Sequence, residues 1–364
     1  MKKSDKILIY CFLALLYLPS VFWFFVSDDS SFNKIDNRKL YDFPVLNIIT
    51  LKQFPENFSK YYDDHFPFRT ELINFDSVMQ YRIFGFVNSP KVIFGKDGWL
   101  FYSDENDGDS MGDYKRINQF SYDEMDKIAS KINDLKKKTE DRGAEFIYLL
   151  CPNKENIYPE YMPSGIIRTD YTPRSYQFSR YLKIKYGIEV IFPFDEILSM
   201  KSKYHVYDKL DTHWSAPGAY AETTVLLNQM GILLPDISKY SCRETLNANN
   251  GLAQMAGFIN PKQILGDPPT ISVNLWENMP IQKEDITDEV TRFTNPVAES
   301  DKKVVFIGDS FRGAIMPIMA TKFKNILFVH RHSFLIDILD KEKPDYVIYE
   351  TVERTIPEVL FYNY

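Results

Sequence analysis

A chain of 364 residues is long enough for one large domain or two modest ones. Its residues are 45% hydrophobic and 15% aromatic, which is typical of a globular protein with a sizeable core. The net charge of −7 argues against a general nucleic-acid binder, because such proteins normally carry a basic stripe. Cys11, Cys151 and Cys242 are too few for a disulfide framework, although a Cys151–Cys242 bridge is possible.

The N-terminal segment is first basic and then apolar. Lys2, Lys3 and Lys6 precede Ile7–Val26, a run of 20 mostly apolar, uncharged residues. A helix of that length spans about 30 Å, the thickness of a bilayer core. Lysines before such a span predict a cytoplasmic N-terminus. We therefore predict a single-pass membrane anchor at residues 1–27, followed by an extracytoplasmic domain. A processed signal peptide is the alternative, and it also leaves the domain outside the cytoplasm.

Residues 28–118 are aromatic and irregular in pattern, and their prolines interrupt any long helix. Within them, VIFGKDGWLFY at 92–102 alternates around a glycine-containing turn and predicts a β-hairpin. The acidic stretch at 103–113 does not have the spacing of a calcium-binding loop, so we predict a solvated loop there.

From residue 119 onward the pattern alternates between helices and strands. Ser121 and Glu124 form a capping box at the start of a helix that continues to Gly143, and residues 215–231 predict a second helix. Short apolar runs predict strands at 145–151, 188–192, 303–311, 325–330 and 345–350. This alternation predicts a parallel sheet covered on both faces, hence a three-layer α/β core at residues 119–364.

A candidate nucleophile follows one of these strands. The run KVVFIGDSF leads directly into Ser310, and functional groups collect at the carboxyl ends of parallel strands. A serine hydroxyl needs a neighbouring base, for which His213 in DTHWSAPGAY is the candidate. Asp211, two residues earlier, is suited to orient the imidazole. Each motif alone is weak, because Gly-Asp-Ser also makes ordinary turns and a histidine can be a core residue.

The pair of motifs FIGDSF and DTHWSAPGAY resembles the SGNH-hydrolase-like domain of the alginate O-acetylation proteins, the AlgX/AlgJ type. Further stretches with the habits of that family are YYDDHFPFR (61–69), VIFGKDGWLFY (92–102), CPNKENIYPEYMP (151–163) and KPDYVIYETVER (343–354). The resemblance implies Ser310 as nucleophile, His213 as general base and Asp211 as its orienting group. One departure is NGLA at 250–253, where the family often has Gly-Asp-Leu-Ala.

The resemblance also implies a function and partners. We expect an O-acetyltransferase that moves acetyl groups onto hydroxyls of an exported polysaccharide, through an acetyl-Ser310 intermediate. A membrane-bound O-acyltransferase would relay the acetyl group, and no cofactor or metal is implied. An acetylesterase with the same three residues is the first alternative. A non-catalytic, polymer-binding scaffold of an export complex is the second.

Other residues are weaker candidates. The candidates for substrate binding are Arg331, Lys154 and Trp214. Arg331 and Lys154 follow strands, and Trp214 adjoins the predicted base. A surface ion pair for Arg331 and ordinary packing for Trp214 are the alternatives. Metal ligation by His65 with Asp63 and Asp64, or by His330 and His332, is less expected than a structural role.

Overall fold

The computed structural model describes residues 3–22, 32–33, 38–245, 249–266, 268, 270–276, 279–362 and 364. They divide into two compact units, the first formed by residues 1–89 with 251–266 and the second by residues 90–250 with 267–364. The helices are α1 (Lys3–Phe22), α2 (Phe54–Asp64), α3 (Arg69–Phe84), α4 (Ser110–Lys115), α5 (Tyr122–Glu140), α6 (Lys154–Ile157), α7 (Arg174–Tyr186), α8 (Phe194–Lys201), α9 (Ala216–Gln229), α10 (Gly251–Met255), α11 (Pro261–Leu265), α12 (Arg312–Met319) and α13 (Asp337–Glu342). The strands are β1 (Phe32–Asn33), β2 (Arg38–Lys39), β3 (Val92–Phe94), β4 (Leu100–Tyr102), β5 (Glu145–Cys151), β6 (Val190–Ile191), β7 (Ser241–Thr245), β8 (Thr270–Asn274), β9 (Gln282–Thr287), β10 (Val290–Thr294), β11 (Ser300–Gly308), β12 (Phe323–His330) and β13 (Tyr346–Val352).

The first unit is helical where the sequence pattern was irregular. α2 has a proline in its first turn, where a missing N–H costs nothing, and α3 begins soon after a second proline. Tyr81 of α3 packs edge-on against Phe258, with ring centroids 6.1 Å apart. The N–H of Ile259 donates to Asn74 of the same helix at 2.8 Å. These contacts join residues 251–266, which are distant in sequence, to α3.

The predicted membrane anchor corresponds in part to α1. Of the apolar run Ile7–Val26, residues 23–26 lie outside the described residues. Among the helices of the described part of the chain, none is both long enough and apolar enough to cross a membrane.

A seven-stranded sheet in the order β6-β5-β13-β11-β12-β10-β9 organises the second unit. From β6 to β12 neighbouring strands are parallel, whereas β10 pairs antiparallel with both β12 and β9. The prediction of a parallel sheet is confirmed for the five predicted strands, and the sheet as a whole is mixed because β10 and β9 extend it in the antiparallel sense. β9 reads QKEDIT and is exposed along its whole length, so no apolar run marks it in the sequence. An antiparallel edge can face water in this way, while a parallel interior cannot.

Helices cover both faces of the sheet, as the alternation predicted. On one face, Ile128 of α5 and Phe178 of α7 pack with the sheet residue Ile307. On the other face, Ile315 of α12 packs with Phe306. Successive residues of a strand point to opposite faces of the sheet, so Phe306 and Ile307 lie on opposite sides of β11. Each large side chain buried in these layers contributes roughly 1.5–3 kcal/mol of transfer free energy. The second unit is thus a three-layer α/β structure.

Several local predictions are confirmed. β5 occupies the predicted range, β3 and β4 form the predicted hairpin, and Ser121 and Glu124 make the predicted capping box before α5. The prediction of a solvated loop at 103–113 was wrong at its end, where α4 begins and Asp113 is buried against Arg174. The possible cysteine bridge is not formed, since Cys151 and Cys242 are both free thiols.

Candidate active site

The turn after β11 presents Ser310 at the carboxyl edge of the sheet. The N–H of Asp309 donates to the buried Glu350 carboxyl at 2.9 Å, and the N–H of Phe311 donates to the Asp309 side chain at 2.8 Å. Gly308 is required for this approach, because a Cβ there would lie 2.3 Å from Glu350 Oε2. The turn therefore has a fixed backbone, and the Ser310 residue at its tip is exposed.

A buried lysine holds the loop that contains Asp211. Lys154, at the start of α6, donates from Nζ to the carbonyls of Asp208 at 2.6 Å, Lys209 at 3.0 Å and Asp211 at 2.9 Å. It also donates to the Leu100 carbonyl of β4 at 2.7 Å. Several carbonyl oxygens around one ammonium offset the cost of burying its charge. This packing ties the loop to two other elements.

The structure brings Ser310, His213 and Asp211 together in one hydrogen-bonded series. His213 Nε2 lies 2.8 Å from Ser310 Oγ, and His213 Nδ1 lies 2.6 Å from Asp211 Oδ1. The Asp211 carboxylate also accepts the backbone N–H of His213 at 3.1 Å. With the Nδ1 proton donated to Asp211, Nε2 is left as the acceptor for the serine hydroxyl. This geometry can move a proton from Ser310 Oγ to His213; the catalytic roles themselves stay predictions.

Three buried acidic groups lie beneath the turn that contains Ser310. The thiol of Cys151 contacts both Glu222 Oε1 at 3.0 Å and Glu350 Oε1 at 3.2 Å. Burial raises the pKa of Glu350, and the charge of Asp309 raises it further. Burial likewise raises the pKa values of Glu222 and Cys151. The cluster therefore favours protonated groups directly behind the turn.

The three candidate substrate-binding residues are all buried and bonded to protein groups. Trp214 donates its indole N–H to the Phe311 carbonyl at 3.1 Å, and Lys154 holds the Asp211 loop. Arg331 donates to Thr355 at 3.0 Å and forms an ion pair with Glu358. Their part in substrate binding remains a prediction.

The remaining histidine candidates have structural contacts. His65 Nδ1 lies 2.9 Å from the Tyr61 carbonyl, and the imidazole of His65 stacks on the Tyr61 ring with centroids 4.1 Å apart. His330 stacks on His332 at 4.7 Å, and burial lowers the pKa of His330 to about 4. Among the residues that the structure describes, no three His, Cys, Asp or Glu side chains are grouped as metal ligands.

Sequence reasoning did not single out Arg354. This residue lies two positions after β13, and its guanidinium carbon is 5.6 Å from the centre of the Phe311 ring. The same ring lies 5.0 Å from that of His213. The only signal in the sequence was its place immediately after a strand, in ETVER at the end of one of the family-like stretches.

The fold and the position of the serine define the class of protein. A three-layer α/β unit with a serine at the carboxyl end of a central strand is an SGNH-hydrolase-like architecture. The family profile described as the SGNH hydrolase-like domain of the acetyltransferase AlgX matches residues 92–314, which is more than half of the chain. The chain belongs to this family.

Curated relatives and a solved structure agree with that assignment. A probable alginate O-acetylase AlgJ of Azotobacter vinelandii is 23% identical over 354 residues, covering 90% of this chain and 83% of the relative. The AlgJ relative of Pseudomonas syringae pv. tomato is 26% identical over 159 residues, which cover 44% of this chain and only 38% of that relative's length. The O-acetyltransferase domain of Pseudomonas putida AlgJ superposes with a TM-score of 0.50 at 17% identity, covering 74% of this chain and 93% of that domain. At this identity the solved structure shows similarity of fold.

Proposed function

We propose that the chain is an O-acetyltransferase that moves acetyl groups onto hydroxyls of a polysaccharide, with Ser310 as the transient acetyl carrier. The observation that carries the proposal is the series Asp211–His213–Ser310, whose serine is exposed at the sheet edge. Family membership and the names of the AlgJ relatives support the acetyl-transfer class and a polysaccharide acceptor.

In the first half of the reaction, His213 Nε2 takes the hydroxyl proton as Ser310 Oγ attacks the acetyl carbonyl carbon of the donor. The tetrahedral intermediate collapses with cleavage of the bond to the donor oxygen, and His213 returns the proton to that leaving group. Asp211 stabilises the transient imidazolium and does not itself take the proton. The products are acetyl-Ser310 and the deacetylated donor.

In the second half, the acceptor hydroxyl repeats these steps in reverse. His213 removes its proton, the sugar oxygen attacks the acetyl carbon, and Ser310 Oγ leaves and regains a proton from His213. The backbone N–H of Ser310 is a suitable oxyanion donor, because no acceptor for it is found within the described part of the chain. It lies just before α12, whose N-terminal dipole favours negative charge.

Acetylester hydrolysis by the same residues is the second candidate function. The observation that favours it is the openness of the site, since Ser310 is exposed and the His213 side chain is 32% exposed. Water can therefore compete with a sugar hydroxyl for the acetyl-enzyme.

The location and the acetyl donor are part of the proposal. We propose that the domain works outside the cytoplasm, anchored through the apolar run Ile7–Val26 that follows the N-terminal lysines. A membrane-bound O-acyltransferase would then supply the acetyl group on the same side of the membrane.

The test is product analysis with an activated acetyl ester as donor and oligosaccharides as acceptors. Wild-type protein should yield acetylated sugar by mass spectrometry, whereas Ser310→Ala and His213→Ala should each lose activity by several orders of magnitude. The double variant should be little worse than either single one, because the residues act as a unit. Ser202→Ala, an exposed serine at the end of α8, is the matched control and should behave as wild type.

Two results would change the assignment. Release of acetate alone, across neutral glucans, amino sugars and uronates, would establish the esterase. Activity that survives in Ser310→Ala and disappears with EDTA would exclude the serine mechanism.

A further inference from the structure

Arg354 lies at the same sheet edge as the proposed nucleophile. It is in the first turn of the 3-10 helix Glu353–Phe361, directly after β13. β13 is the parallel neighbour of β11, the strand that leads into Ser310. The carboxyl ends of adjacent parallel strands meet at one edge, so the two residues belong to one region of the surface.

The backbone of Arg354 is held firmly. Its N–H donates to Asn153 Oδ1 at 3.3 Å, and its carbonyl accepts from Arg174 Nη2 at 3.3 Å. Gly108 packs directly on that carbonyl, because a Cβ at Gly108 would lie 2.2 Å from the Arg354 oxygen. The side chain therefore extends from a fixed base, which reduces the entropy lost when it binds a ligand.

The guanidinium contacts aromatic rings and has no hydrogen-bonding partner among the residues that the structure describes. Its central carbon lies 5.5 Å from the centre of the Tyr102 ring and 5.6 Å from that of Phe311. Its Nε is buried without a hydrogen-bond partner, and within the described residues no ion pair to the guanidinium is found. Cation–π contacts orient the planar group but leave its N–H donors unused.

The Nε atoms of Arg331 and Arg312 are also buried without a hydrogen bond, but these arginines and Arg174 bind the protein through other atoms of the guanidinium or through an ion pair. Arg331 bonds to Thr355 and Glu358, Arg174 pairs with the carboxyl of Asp113, and Arg312 donates to the Asp309 carbonyl at 2.7 Å. Each of these guanidinium groups is used in the protein's own structure. Among these four arginines, Arg354 is the one whose guanidinium has neither a hydrogen bond nor an ion pair to the described residues, so its terminal nitrogens can donate to a ligand.

We propose that Arg354 binds oxygen atoms of the acceptor sugar. The inference rests on the proposed acetyltransferase function, and it names the group that positions the acceptor. No contact joins Arg354 to Ser310 or His213 among the described residues, and the Phe311 ring adjoins both Arg354 and His213. We therefore assign the guanidinium to the acceptor and not to the acetyl group on Ser310.

The experiment measures transfer and hydrolysis separately for Arg354→Met and Arg354→Lys in the full chain. The donor is a small acetyl ester, and the acceptors are a neutral β-glucan, an amino-sugar and a uronate oligosaccharide. With an acceptor that the wild-type protein acetylates, we expect Arg354→Met to raise the acceptor KM and to lower the ratio of transfer to hydrolysis by about tenfold to a hundredfold. This is the effect of losing hydrogen bonds from a charged group. Arg354→Lys should lie between Arg354→Met and wild type, since it keeps the charge and loses the planar fork. Arg142→Met, at an exposed pair with Asp340, is the matched control and should leave the ratio unchanged.

Two outcomes would overturn the proposal. An unchanged ratio in folded Arg354→Lys and Arg354→Met would show that the residue does not bind the acceptor. Equal losses of hydrolysis and transfer would place its effect on the acetyl group or on the turn instead. Failure of the proposed function itself has a separate signature, namely Ser310→Ala protein that remains active or wild-type protein that releases only acetate.

Discussion

Lys154 shows how one side chain can connect sequence-distant parts of a site. Its ammonium is buried, lies 5.1 Å from the centre of the Trp99 ring, and donates to backbone carbonyls on both β4 and the loop that contains Asp211. From its position directly after a strand, the sequence predicts that Lys154 contacts the substrate. In the structure the nitrogen instead faces the protein's own backbone, which suits a positioning residue.

We expect Lys154→Met to lower kcat for hydrolysis of an activated acetyl ester by roughly tenfold to a hundredfold, with little change in KM. The reason is that the variant would let Asp211 shift, and a small displacement of an orienting group lowers the rate by that factor. The matched control is Lys201→Met, which removes a lysine that donates to the Ile157 carbonyl away from the proposed site. Steady-state kinetics of both variants, with denaturation curves to establish folding, provide the measurement. A variant that changes only the acceptor KM would favour the substrate-binding role predicted from the sequence.

At the scale of elements, β5, α9 and β13 meet behind the turn that contains Ser310. Cys151 ends β5, Glu222 lies in the middle of α9, and Glu350 lies in β13. Glu350 also fixes the turn after β11, because its carboxyl accepts the N–H of Asp309. Packing the elements together therefore buries carboxyl groups that the sequence alone does not mark as buried, and it makes stability depend on pH.

The sign of that dependence follows from the pKa of Glu350. Its pKa in the folded protein is raised by burial, so the folded state holds a proton that the unfolded state loses above about pH 4.3. The stability contributed by this group is present below the unfolded pKa and is lost as pH rises towards the raised folded value. Glu350→Gln retains an oxygen for the Asp309 N–H and does not titrate.

We therefore expect the free energy of unfolding of the wild type, relative to Glu350→Gln, to fall between pH 5 and pH 8. Urea denaturation of both proteins at the two pH values measures this difference. Glu284→Gln, an exposed position on β9, should show the same pH response as the wild type. Parallel behaviour of wild type and Glu350→Gln would mean that the folded and unfolded pKa values of Glu350 are alike.

On the scale of the whole molecule, the residues of the proposed site lie in one unit. Residues 90–250 and 267–364 contain the sheet, both helical layers and the series Asp211–His213–Ser310. The other unit contains α1 and the aromatic helices α2 and α3. The proposed chemistry and the proposed anchoring thus belong to different parts of the chain, and they can be tested independently.

We expect the full chain to sediment with membranes after alkaline carbonate extraction and a chain lacking residues 1–27 to be released. An apolar helix inserted in the bilayer resists this treatment, while a surface-bound protein does not. Protease added to spheroplasts should digest the domain, with a cytoplasmic protein as the control for intact cells. Release of the full chain by carbonate would contradict the anchor, and protection from protease would contradict the extracytoplasmic location.

Much of the fold was predictable because its signals are local. The capping box at Ser121, the hairpin at 92–102 and the strand at 145–151 depend on residues close together in the chain, and all three appear as expected. β9 and β10 were missed. β9 is the exposed antiparallel edge, which needs no apolar run, and its polar residues read as loop. β10 reads VTRFT and contains no apolar run either, although Thr291 and Phe293 are buried.

The sequence by itself determined the strand that leads into Ser310, the Asp-x-His pair at 211–213 and the family that these motifs resemble. Only the tertiary structure decided that a serine 97 positions from the histidine lies 2.8 Å from it, and that Lys154 turns inward while Arg354 keeps its donors unused. The physical reason is that periodicity and turn chemistry report on neighbours in the chain. Which polar groups find partners depends on the order of strands in the sheet and on which atoms packing removes from water.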